Sequence, residues 1–191
     1  MADRNSNSLE TFIGAFNGGN RAHRYEVSMN WPTAIGASAE PTLDRFFVRA
    51  VSLPPSQLNP IRIPYRGRIL KWPGDRVYFP WTIRILDQNG GDGNNANESI
   101  WNNFNAWSNV MNNHVTNISS DNFSDFVTDW VVKQVDEHGN TIKEVTLMDC
   151  WPTVVGPISM DANAIDTLVE FTVTVEYQWQ EIDGLPTAGL P

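Results

Sequence analysis

The sequence predicts a mainly β domain with one packed α-helix and extended arms. From Val169 to Trp179 every second residue is apolar (Val169, Phe171, Val173, Val175, Tyr177, Trp179), with Glu170, Thr172, Thr174, Glu176 and Gln178 between them. That alternation describes a strand with one dry face and one wet one. Ile100, Phe104, Trp107 and Met111 recur at spacings of 4, 3 and 4, an apolar helical stripe that has to pack on a sheet. Residues 61–71 are strand-like yet hold Pro64 and Gly67. A central strand does not tolerate Pro64, so this stretch is expected to be an exposed hairpin or extended arm.

The 191 residues suit a single domain, 1–191, able to bury a real core around eight Trp and nine Phe. Within it the sequence delimits an N-terminal helix or arm over 1–20, an exposed hairpin arm over 54–76 and a C-terminal tail over 181–191. The run from Val169 to Trp179 exceeds the 5 or 6 residues of an ordinary strand, so it needs partners along an unusual length.

Acids outnumber bases 22 to 13, a formal charge of −9, which argues against gripping nucleic acid over the whole surface. The charge is also unevenly placed. Residues 61–86 carry Arg62, Arg66, Arg68, Lys71, Arg76 and Arg84 against Asp75 alone, whereas residues 121–183 carry thirteen acids against Lys133 and Lys143. Such a split favours head-to-tail association of identical copies. It is equally compatible with two solvated surfaces of a monomer.

The single cysteine, Cys150, excludes an internal disulfide and a Cys-based zinc site, and its apolar setting reads as a buried, inert thiol. The first residues lack an apolar signal region and no run of about 18 apolar residues occurs. A soluble protein made in a cytoplasm is expected, so the sequons at Asn97, Asn117 and Asn122 carry no weight.

In chain order, Leu9, Phe12, Ile13 and Phe16 fall on one side of a short amphipathic helix, with Asn7 as cap and Glu10 at its third position, ended by Gly18-Gly19-Asn20. Tyr25, Val27 and Met29 alternate as a strand that Trp31-Pro32 stops. Residues 33–42 read as a loop, and Phe46, Phe47, Val48 and Val51 as a second strand closed by Leu53-Pro54-Pro55. Val77, Phe79, Trp81, Ile83 and Ile85 alternate strictly as a third, with only Pro80 intervening on the opposite face, which suits an edge strand or a bulge near Pro80. Residues 87–98 form a Gly/Asn loop before the helix. Strands over 126–135 and 141–150 are joined by the turn-like 136–140, and the stretch from Trp151 to Pro157 reads as a turn feeding the final strand.

Chemistry is hard to find. Residues 87–98 place Asp, Asn and Glu at positions 1, 3 and 12 of a calcium loop, but Gly91 and Asp92 stand where a ligand and the turn glycine are required. The same glycines lack the Lys-Ser/Thr of a phosphate loop. His23, His114 and His138 lie in separate loop-like contexts, and no Gly-x-Ser-x-Gly elbow is present. Asp149 and Asp161 form a carboxylate pair only in the sense that any two acids would. Catalytic residues, metals and cofactors are accordingly expected to be absent. Tyr65, Arg66, Arg68, Lys71 and Trp72 interleave bases with aromatics; given the overall acidity, a protein-interface arm is favoured over a nucleic-acid stripe.

Three segments together resemble the tail tube protein family of contractile-tailed bacteriophages. They are the Phe12-x-x-x-Phe16 helix followed by Arg24-Tyr25-Glu26-Val27; the basic hairpin Ile63-Pro64-Tyr65-Arg66-Gly67-Arg68 with the Gly74-Asp75-Arg76 turn and the Trp81-Thr82-Ile83 strand; and Trp151-Pro152-Thr153-Val154-Val155-Gly156 with Phe171-Thr172-Val173-Thr174-Val175. Residues 31–43, 87–98 and those after Gln180 look longer than the family pattern. The resemblance implies a β-sandwich or barrel-like tail tube fold and hexameric rings whose strands join around a channel. Rings would stack inside a sheath, meet baseplate and tail terminator proteins, and pass DNA without binding it specifically, in the tail of a virion assembled in the host cytoplasm. On that reading Glu170, Thr172, Thr174, Glu176 and Gln178 line the channel while the alternating apolar residues face the core. Arg62, Tyr65, Arg66 and Arg68 then sit in contacts between subunits or stacked rings. Open alternatives are a tube initiator at the baseplate junction, the inner tube of a phage-derived injection system, and, from another class, a ligand-binding β-sandwich that stays monomeric.

Overall fold

The computed structural model describes residues 9–16, 19–35, 47–87, 99–120 and 122–184. Its elements run α1 (Leu9–Phe16), β1 (Tyr25–Ser28), β2 (Val48–Ala50), β3 (Ser56–Tyr65), β4 (Arg68–Tyr78), β5 (Trp81–Leu86), α2 (Ile100–Met111), β6 (Thr128–Val135), β7 (Thr141–Val155), β8 (Glu170–Glu176) and β9 (Trp179–Ile182), with single 3-10 turns at Thr33–Ile35 and Phe123–Asp125. A seven-stranded antiparallel sheet has the order β1-β6-β7-β8-β5-β2, with β9 also on β7, and β3 and β4 form a separate hairpin. Asn7, the residues 87–98 beyond Asp87 and the tail beyond Gly184 lie outside the described residues.

Strand β7 is the spine. Its first two-thirds pair with β6, ending at Thr128 opposite Cys150, and with β9 from Val145 to Met148. Its last residues pair with β8, from Trp151 opposite Glu176 to Val155 opposite Val173. The chain changes partner at a bulge. Trp130 faces Leu147 and Thr128 faces Cys150, so β7 carries one residue more than β6 between these pairs. Asp149 accommodates it at φ 54°, and its backbone N–H donates to Asp129 Oδ1 at 3.0 Å. Asp tolerates this left-handed conformation better than a branched residue does. Asp149→Val should therefore cost about 1–3 kcal/mol in a urea melt, while Asp149→Gly should stay within about 1 kcal/mol of the parent.

The core lies between the curled sheet and α2, whose Ile100, Phe104 and Trp107 are fully buried. Strands β5 (Trp81, Ile83, Ile85), β6 (Trp130, Val132), β7 (Val145, Leu147, Cys150) and β8 (Phe171, Val173, Val175) supply most of the rest, with Val27, Met29, Val48 and Tyr177 beside them. At its centre the aromatic rings meet edge to face: Trp130 lies 6.1 Å from both Trp81 and Phe104, and Trp31 lies 4.8 Å from Phe104. Buried indoles need acceptors. Trp81, Trp107 and Trp130 find them on the carbonyls of Ser52, Phe126 and Asn30.

The turn joining β6 to β7 is organised by Asp136, whose carboxylate accepts from the backbone N–H of His138 and Asn140 and from the Asn140 side chain. These bonds stabilise the ionised form and hold the Asp136 pKa below its usual value.

Several expectations are corrected. The alternation through Val77 to Ile85 is two strands, because the chain breaks at Phe79-Pro80 between β4 and β5. The final alternation is also two strands: β8 stops at Glu176, and β9 crosses to the other half of the sheet. Val169 and Trp179 therefore lie outside the core, 36% and 41% exposed, although the alternation places them on its dry side. Trp151-Pro152-Thr153-Val154-Val155 is strand rather than turn. Pro152 is accommodated because β6 ends opposite Cys150, which leaves β7 paired there with β8 alone. Cys150 is buried, its Sγ donating to Leu147 O at 3.4 Å, and desolvation pushes its pKa up to about 12.

Candidate functional site

Two surfaces stand out, and neither resembles an active site. The first is the wet face of the sheet around β8. Phe171 and Val173 point into the core and Thr172 is exposed, as alternation dictates. Glu170, Thr172, Thr174 and Glu176 form one row on β8, while Gln178 lies past the strand's end, where its N–H donates to Met148 O. Neighbouring strands extend the row. Thr82 and Thr174 hydroxyls sit 3.2 Å apart, and Thr153 Oγ1 donates to the Thr174 carbonyl at 3.1 Å.

This face is less acidic than β8 alone suggests. Arg49 Nε donates to Glu170 Oε1 at 3.2 Å and Arg84 Nη1 lies 3.9 Å from Glu170 Oε2. Arg84 was legible in principle, because Thr82 and Arg84 alternate with the buried Trp81, Ile83 and Ile85. Nothing in the sequence linked Arg49 to Glu170, 121 positions away.

The second surface is the β3–β4 hairpin. Tyr65 pairs with Arg68 across the two-residue turn Arg66-Gly67, at φ 46° and 80°, the left-handed pair that matches strand twist in tight hairpins. Arg66 stands over the Tyr65 ring, 5.4 Å from its centroid, a cation–π contact. Tyr65, Arg66 and Arg68 thus share the tip, and Arg62 lies further down, opposite Lys71. Like charges directly opposite are destabilising unless something neutralises them. The other side carries Ile61 beside Trp72 and Ile63 beside Leu70, all four roughly half exposed or more. Sequence reasoning named the bases and aromatics here but missed this aliphatic stripe. Helix α1 likewise exposes Leu9, Phe12, Ile13 and Phe16.

Among the described residues no three His, Cys, Asp or Glu gather as a metal cluster would, and no helix is long and apolar enough to cross a membrane. The loop acid Asp161 is engaged locally, accepting from the N–H of Asn163.

Comparison with known proteins identifies the family. The family model described as phage tail tube protein matches residues 20–181. The chain belongs to that family. The tail tube protein of Serratia phage KSP90 is 29% identical over 174 residues, 89% of this chain and 94% of the relative. Tail tube protein gp19 of Enterobacteria phage T4 is 22% identical over 137 residues, 71% of this chain and 80% of the relative. Among solved structures, the sheath–tube complex of the extracellular contractile injection system PVC contains a chain that superposes with a TM-score of 0.57 at 14% identity, covering 93% of this chain and 99% of that one. A chain of the anti-feeding prophage tube-terminating cap does so with a TM-score of 0.55 at 16% identity, covering 85% and 89%. These two likenesses show a shared tail tube fold. The protein is a structural tail tube component of a virion, in line with the resemblance read from the sequence.

Proposed function

We propose that copies of this chain close into hexameric rings that stack into the inner tube of a contractile phage tail. In this reading the sheath surrounds the tube, baseplate and terminator proteins close its ends, and genomic DNA passes through it from virion to host cell. The wet face around Thr172 and Thr174 lines the channel, and the hairpin bearing Arg62, Tyr65, Arg66 and Arg68 makes contacts between subunits or rings. No catalytic step is involved.

The observation that carries the proposal is the hairpin. It is 61% exposed at Trp72, carries Ile61, Ile63, Leu70 and Trp72 on one side with Tyr65 and Arg68 at its tip, and sets Arg62 beside Lys71 on the other, on a chain whose residues 121–183 are strongly acidic. An isolated monomer gains nothing from such an arm, whereas a neighbouring copy supplies both the apolar cover and the counter-charge. Two further features are compatible with it: β1 and β2 end the main sheet as short strands, four and three residues long.

Negative-stain electron microscopy of the purified protein tests the assembly directly. Rings or tubes are expected at low salt; compact monomers at high concentration would count against it. Reversing Arg66 and Arg68 to Glu should raise the concentration needed for tube formation at least about tenfold, since like-charge contacts cost more than 1.4 kcal/mol at an interface. Tubes forming as readily as from the parent would remove the hairpin from the interface.

A further inference from the structure

We propose that Glu170 is the internal counter-ion that keeps two arginines of the channel wall from gripping passing DNA. This rests on the reading that the wet face around β8 lines the channel.

The face has a simple layout. At its middle Thr82, Thr172, Thr174 and Thr153 present uncharged hydroxyls, three of them engaged in bonds within the sheet. At one end stand Arg49 and Arg84, with side chains 57% and 58% exposed, and both reach Glu170. Arg49 has a mechanical reason to be there. Strand β2 is three residues long and meets β5 through a register shift, so its bond to Glu170, reached across β5, fastens a weak edge strand to β8. The fastening brings positive charge onto a surface past which a polyanion must slide.

Each arginine free to meet a phosphate adds affinity and about 0.9 to the salt slope of DNA binding. Glu170 occupies Arg49 Nε, lies beside Arg84 and, together with Glu176, balances the formal charge of the row. That row is then balanced in formal charge and rich in hydroxyls. One carboxylate serves both the edge strand and the passage of DNA.

The test uses assembled tubes mixed with a short duplex DNA, sedimented after nuclease digestion, so that only DNA sheltered inside is counted. Parent tubes should retain little. Tubes of Glu170→Gln should retain at least about fivefold more at low salt and lose it as salt rises, and the triple variant E170Q/R49Q/R84Q should return to the parent level. Thr172→Lys, which places a cation in the middle of the row, serves as reference. Retention by T172K without retention by E170Q would overturn the counter-ion while leaving the channel face in place. Extra DNA that stays nuclease-sensitive in both variants would overturn the channel reading itself. If E170Q alone does not polymerise, tubes co-assembled from parent and E170Q subunits should show retention rising with the E170Q fraction, and a flat response would again refute the proposal.

Discussion

Trp130→Ala should lower the unfolding free energy by about 3–5 kcal/mol, enough to leave a domain of ordinary stability barely folded. Trp130 is fully buried, meets Trp81, Phe104 and Trp107 within 6.1 Å between ring centroids, and donates its indole N–H to Asn30 O. Its removal opens a cavity between α2 and the sheet that rigid aromatic neighbours fill poorly. Trp130→Phe separates packing from hydrogen bonding. Asn30 O also accepts from Thr128 Oγ1 at 2.9 Å, so losing the indole donor leaves no orphaned carbonyl. The Phe variant should retain more than half of what the Ala variant loses, measured by urea denaturation. Equal losses would show that the hydrogen bond dominates.

Gly156→Ala should cost about 2–3 kcal/mol, and the reason is closeness rather than backbone conformation. A Cβ there would lie 2.6 Å from the Thr172 carbonyl oxygen and 2.7 Å from its hydroxyl, and Gly156 donates its own N–H to the same carbonyl at 2.7 Å. Among the described residues the left-handed glycines are Gly19, Gly67, Gly139 and Gly184. Adding Thr172→Ala to Gly156→Ala relieves only the hydroxyl clash, so the double variant should recover less than half of the loss. Full recovery would mean that the backbone at Thr172 yields easily. Because Thr172 is central to the wet face, the Gly156 variant should disturb tube assembly as well as stability.

How much of this was readable beforehand depends on whether a signal is local. The alternation of β8 sorted core from surface correctly at Phe171, Thr172 and Val173, because a strand's two faces are fixed by a period of 2. The same rule failed at Trp179, since period says nothing about which sheet half a strand joins after a corner at Tyr177. Pro152 and Gly156 are turn signals by composition, yet one sits where β7 has a single neighbour and the other where two backbones touch. Both conditions are set by residues far away in sequence. The apolar stripe of α2 was plain from its spacing. The union of Arg49, Arg84 and Glu170 was not, because three strands must first be placed side by side. For the hairpin, Pro64 and Gly67 marked an exposed arm, whereas its aliphatic stripe emerges only once Ile61 and Trp72 are seen to pair.

The bulge at Asp149 has a consequence for the diameter of an assembly. In the closed ring proposed above, the number of copies would follow from the angle each copy subtends, and the path of β7 between its two sets of partners would help to set that angle. Here the change of partner is written into one backbone dihedral and one surplus residue, with the Asp149 N–H held by Asp129. A ring built on it would owe part of its circumference to the fold of each copy rather than to the charged contacts between its members.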